Sequence, residues 1–189
     1  MGGLGADFRR AGGIGVRDLL RRFWHEKKGA AAVEFALLAL PFFLLVFAIL
    51  ESCVAFVAQE MLTNAADDVG RKFRTGQLQV GTANEQIVRD LMCERMSMLF
   101  PADCPGLQID LQHFGTFEDA AEVFEGPLLP NTYLFDPGDA GEKNVLRVYY
   151  FWPVLTNFMH DRMANLPDGK MLLFATHTWQ NEPSASAAQ

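Results

Sequence analysis

The chain has 189 residues, a mass of 21.1 kDa and a formal net charge of −7, and 50% of its residues are apolar. That length holds one domain with an appendage and leaves little room for two catalytic domains. The 12% aromatic content excludes a disordered or collagen-like chain, and 3 cysteines are too few for a disulfide scaffold or a zinc ribbon.

The charge is unevenly placed. Residues 1–29 carry seven Lys/Arg against Asp7, Asp18 and Glu26, whereas residues 30–58 carry only Glu34 and Glu51. Residues 59–189 carry nine Lys/Arg against eighteen acids. A basic arm, an apolar middle and an acidic body make a membrane arrangement, and the acidic total argues against a nucleic-acid partner. The glycines of residues 1–15 follow no strand and precede no Lys-Ser/Thr pair, so they read as a flexible arm and not as a phosphate loop.

From Phe35 to Leu50 sixteen apolar residues run without a break, and the apolar character resumes after Glu51 as far as Ala58. As a helix, Phe35–Ala58 would span about 36 Å, enough for a hydrocarbon core of ~30 Å. Arg21, Arg22, His25, Lys27 and Lys28 stand just before it, so this end is expected in the cytoplasm and the rest outside. Glu34 sits at the entrance of the run, where a lone carboxylate needs a partner. Pro41 removes a helix hydrogen bond, so a kink or a melted turn is expected there. Glu51 lies near the exported boundary and reads as a solvated or headgroup-facing side chain. Leu50-Glu51-Ser52-Cys53 fits a lipoprotein box poorly because of its Glu, so Cys53 is expected as a helix-packing residue. An ordinary signal peptide fits no better, since the apolar stretch exceeds the usual h-region.

Met61, Ala65, Val69 and Phe73 recur every four residues, the spacing of one helix face, and predict that the helix continues to about Arg74 and stops at Gly76. Thr82-Ala83-Asn84-Glu85 fits a capping box with Thr82 as the cap, opening an amphipathic helix that ends before Pro101. Leu107, Ile109 and Leu111 alternate as in a strand, and Val145–Trp152 and Leu172–Trp179 are two further strands. Residues 115–143 are loop-rich, and Pro153–Asn165 reads as a helix. The fold class is α+β: a small antiparallel sheet packed on the exported half of a long helix. Cys93 and Cys104 both fall on the exported side, where oxidation is permitted, and a structural disulfide between them is expected.

Lys28-Gly29-Ala30-Ala31-Ala32-Val33-Glu34-Phe35 resembles the processing site of type IV prepilins. The run through Ala36–Leu40, Pro41 and Glu51 is similar to the TadE/TadG-like pseudopilins of tight-adherence (Flp) pilus systems. The resemblance extends to Cys93-Glu94-Arg95-Met96, to Cys104, to Val145 through Thr156, and to Leu173 through Pro183. It implies a pilin-like molecule cut between Gly29 and Ala30 by a prepilin peptidase, and gives Glu34 and Phe35 a role in assembly, Glu34 by pairing with the N-terminus of a neighbouring subunit. Other pilins and pseudopilins, the inner-membrane assembly platform and the lipid bilayer are the implied partners. The implied location is the bacterial inner membrane, with a single pass, a cytoplasmic N-terminus and a periplasmic C-terminal domain. The expected division is a leader 1–29, a membrane helix 30–58, its exported continuation 59–76, a periplasmic domain 77–183 and a tail 184–189. An uncut single-pass envelope scaffold or receptor is the other reading.

Catalytic signatures are not found. There is no Gly-x-Ser-x-Gly elbow or dinucleotide fingerprint, and His25, His113, His160 and His177 form no i, i+4 pair. His160-Asp161 and Asp67-Asp68 read as solvated helix faces. No enzyme, cofactor or metal is expected.

Overall fold

The computed structural model describes residues 27–78 and 81–182, with side chains from Gly29 onward. The basic arm up to residue 26 and the tail 184–189 lie outside the described residues. The chain divides into two units, Met1–Phe47 and Ala48–Gln189.

Helix α1 runs over Lys27–Arg74. Its sequence is rich in Ala, Leu and Phe and has no β-branched run, which favours helix throughout. It continues unbroken through Pro41, which rules out a melted turn at that position. Arg71, Lys72 and Arg74 occupy the last turn, where cations complement the exposed carbonyls. Gly76 then takes φ +71°, with its N–H donating to the Phe73 carbonyl, and the helix stops where the sequence predicts.

In the first unit α1 leaves its apolar side chains uncovered, Phe35 and Leu38 more than 70% exposed. In the second unit a stripe of α1 is buried: Ala55, Ala58, Leu62, Ala65, Ala66, Val69 and Phe73. Four of the seven are alanines, so much of the stripe is small side chains. Each larger side chain in the stripe contributes about 1.5–3 kcal/mol by leaving water.

The sheet has three antiparallel strands in the order β1 (Leu107–Phe114), β2 (Lys143–Pro153) and β3 (Lys170–Gln180). Its register sets Ile109 against Val148 and Val148 against Ala175. The face carrying Leu107, Ile109, Leu111, Leu146, Val148, Tyr150, Leu173 and Ala175 packs in one core with α1. Helix α2 (Glu85–Met96) adds Val88, Met92 and Met96 to the same core. Its cap is Asn84 and not Thr82. The Asn84 side chain accepts from the Ile87 N–H at 2.9 Å, so the helix begins two residues later than a Thr82 cap requires.

The excursion between β1 and β2 holds a short helix, α3 (Phe117–Glu122), capped by Thr116, which the loop-rich composition hid. Further on, Leu134 and Asp136 bond both backbone groups of Leu111 at 2.8 Å and cover the free edge of β1. Helix α4 (Asn157–Met163) is shorter than expected, because Pro153 is the last residue of β2 and Thr156 is the cap. Cys93 and Cys104 are joined as a disulfide with Cα atoms 5.8 Å apart, tying the end of α2 to the turn before β1.

Candidate assembly helix and its domain anchor

The residues expected to mark a processing site lie in the first turns of α1. Gly29 is its third residue and Ala30 is exposed. The Gly29–Ala30 bond is thus within the helix, although its opening turn is held by few bonds, and a glycine there is easily unwound. Glu34 and Phe35 are both exposed on the helix, and Glu34 makes no ion pair among the described residues. Val33, Leu37, Leu40, Phe42, Phe43, Leu45 and Phe47 are exposed beside them. A single exposed leucine is ordinary, but a whole helix of them needs lipid or other helices around it. Among the described residues this is the one helix long and apolar enough to cross a membrane, and it fits a single-pass membrane protein.

Glu51 departs from the sequence expectation. It is not solvated: it is 8% exposed and turned into the second unit. Its Oε1 accepts from the Leu155 N–H at 2.6 Å and the Thr156 N–H at 3.2 Å, and the Thr156 hydroxyl donates to its Oε2. One carboxylate therefore satisfies the backbone donors ahead of α4, and it does so across 104 residues of sequence. Packing of the domain on α1 reaches back to this residue, inside the segment 30–58. Cys53, two residues on, is exposed and does not pack into the core.

Further along α1, Gln59 bonds both backbone polar groups of Phe174 on β3. Asp68 is not a solvated acid either. Its carboxylate meets Arg71 at 2.8 Å, Lys72 at 3.3 Å and Arg95 of α2 at 3.1 Å. Arg71 foremost, with Lys72 and Arg95, holds it below the usual carboxylate range against the opposing effect of burial. Asp67, which is exposed, reaches His177 of β3 at 2.9 Å.

The other sheet face carries a buried ion pair that sequence reading missed. Asp110 and Arg147 are cross-strand partners, and Arg147 donates twice to Asp110 Oδ2, at 2.8 and 2.6 Å. Gln112 and the Leu134 N–H also donate to Asp110. Nearby, burial pushes the Tyr149 phenol up to about 12, so it stays neutral. With its oxygens occupied by fixed donors, this carboxylate is built to hold the excursion on the sheet and has no open side for a substrate. His160 and Asp161 stand 3.9 Å apart on the outside of α4. No group of three or more metal-binding side chains occurs among the described residues.

Residues 29–71 match the model of the TadE-like protein family. Over this stretch the chain is similar to TadE-like proteins. The match spans the apolar run, Glu34, Pro41, Glu51 and the buried stripe as far as Val69. The match is consistent with a TadE-like protein of the tight-adherence system. No curated protein and no solved structure matches the chain.

Proposed function

We propose that the chain is the precursor of a minor pilin or pseudopilin needed to assemble a tight-adherence (Flp) pilus. The observation that carries this reading is the TadE-like match, which begins at Gly29, the residue before the proposed cut. A prepilin peptidase removes residues 1–29 and leaves a 160-residue chain, the remainder of 189, starting at Ala30. The basic arm keeps that end in the cytoplasm, and the acidic body is exported across the bacterial inner membrane. The exposed apolar surface of α1 then packs laterally against the helices of other pilins. Glu34 neutralises the new α-amine of a neighbouring subunit, since neither charge is tolerated alone in an apolar setting. The folded domain on the exported side limits how closely subunits pack, which suits a minor component and not the bulk of a thin fibre.

The test is the intact mass and N-terminal sequence of membrane-extracted protein, made with and without a co-expressed prepilin peptidase. A chain beginning Ala30-Ala31-Ala32-Val33-Glu34-Phe35 only when the peptidase is present is the expected result. A chain that keeps residues 1–29 with active peptidase overturns it in favour of an uncut envelope scaffold.

A further inference from the structure

Among the exposed large apolar side chains of the second unit are Leu155, 74% exposed, and Phe158, 61% exposed. Both flank the start of α4, and the Leu155 backbone is bonded directly to Glu51. Glu51 is the residue that closes the uninterrupted apolar run Phe35–Leu50. Within the membrane helix 30–58, Ala30–Leu50 alone rises about 31 Å, close to the ~30 Å of a hydrocarbon core, which sets Glu51 at its far boundary and residues 52–58 in the headgroup layer. The bonds from Glu51 therefore fix Leu155 and the adjoining turn of α4 at that same depth. On α1, Val54, Phe56 and Val57, shortly after Glu51 in sequence, are exposed as well. Arg162 lies four residues after Phe158 on the same face of α4, and its long stem lets the guanidinium reach phosphates while Phe158 stays among acyl chains.

We infer that the segment Pro153–Met163 is a membrane-interface foot: Leu155 and Phe158 insert into the outer boundary of the bilayer that α1 crosses, with Arg162 at the headgroups. The occupant of this apolar patch is phospholipid. Glu51 serves the foot by satisfying, from within, the backbone donors that would otherwise enter the apolar boundary unpaired. This inference rests on the single-pass reading, and does not depend on cleavage at Gly29 or on a pilus.

The test uses the full chain with Cys53→Ser and the disulfide intact, in phosphatidylcholine–phosphatidylglycerol vesicles. Leu155→Cys, Phe158→Cys and the distant, exposed Met98→Cys each carry an environment-sensitive fluorophore. Flotation is checked first, and quenching by nitroxide-bearing lipids is then measured. Quenching at 155 and 158 about twofold or more above that at 98, unchanged when protein is diluted about tenfold in lipid, is the expected result. Protein that floats but shows equal quenching at all three positions overturns the foot and leaves the membrane helix standing. Labels shielded from water only at high protein density, without lipid quenching, overturn it in favour of a protein neighbour. Failure to float overturns the single-pass reading, and the foot with it.

Discussion

The side-chain amide of Gln59 grips Phe174 by both backbone polar groups: its Nε2 donates to the Phe174 carbonyl at 2.8 Å, and its Oε1 accepts from the Phe174 N–H at 3.2 Å. A side chain on a helix thus acts as a one-residue extra strand on the outer edge of β3. The Asn165 side chain, in the turn before β3, adds a single bond at Leu172, accepting its N–H at 2.7 Å. Edge strands with open donors invite pairing with other chains, and these two amides close part of that edge. Gln59→Ala leaves two half-buried backbone groups without partners, and unfolding of the detergent-solubilised chain in urea is expected to show a loss of about 1–3 kcal/mol. Gln59→Glu, which sets a carboxylate against a carbonyl oxygen, should be no better. Wild-type stability in either variant would show that the edge is held in another way.

The ion pair of Asp110 and Arg147 predicts strong non-additivity. Arg147→Met strands a fully buried carboxylate, so a loss of about 3–5 kcal/mol is expected. Adding Asp110→Leu removes the stranded charge and should recover most of that loss. A double-mutant cycle by thermal or chemical unfolding checks this, and additive losses would contradict the geometry.

Asp68 makes the domain sensitive to acid. Its folded pKa is depressed, so the stability it contributes is present above the ordinary carboxylate range and is lost as pH falls through the folded value. Asp68→Asn should therefore lower stability at neutral pH and flatten the pH dependence below about pH 4. The effect is modest because Arg71 and Arg95 are largely exposed to solvent. Stability measured from pH 2 to 7 on both proteins decides it, and parallel curves would remove the assignment.

Gly70 is a place where only hydrogen fits. A Cβ built on it runs into the His177 ring, which is itself held by Asp67 and packed beside Trp179. Gly70→Ala must push that ring off Asp67, and a loss of about 1–3 kcal/mol is expected by thermal unfolding. In Gly70→Ala combined with His177→Ala, the clash is gone, and the penalty of the glycine substitution should vanish.

Cutting and assembly are expected to separate by mutation. Gly29→Val should leave a full-length precursor, read by intact mass, because a bulky side chain blocks the approach to the bond. Glu34→Ala should be cut normally but impair piliation, seen by electron microscopy of sheared filaments. Normal piliation would show that no charge pairing is needed at Glu34.

Much of this fold is legible in the sequence because its elements are periodic. The four-residue spacing from Met61 to Phe73 marks the buried stripe, and the alternation Leu107, Ile109, Leu111 marks β1, since burial repeats with the geometry of each element. The residues that join the elements are less legible, because their partners are far away in sequence. Glu51 finds Thr156 and Gln59 finds Phe174, and nothing local announces either. A signal was nonetheless present. A Glu within an apolar run, an Asp within Leu107–Leu111 and an Arg within Val145–Tyr150 each interrupt a stretch that should be buried. A charge in such a place requires a partner from another element. The α2 cap was misplaced for a simpler reason: Thr82 and Asn84 both offer a capping oxygen, and the sequence alone does not rank them.

The antiparallel order β1-β2-β3 also sets when this molecule can fold. Strand β3 comes last of the three in sequence, yet it supplies the partner for Gln59, which lies 115 residues before Phe174. Until β3 is in place, the stripe from Ala55 to Phe73 has no complete sheet to cover it, and the far edge of β2 stands open. Contacts so distant form slowly, and the waiting intermediate exposes both an apolar helix face and an unpaired strand. Loss of the final strand by premature termination should therefore yield an insoluble product in place of a shortened working one. The interval before β3 is completed is the period in which the chain most needs protection from its neighbours.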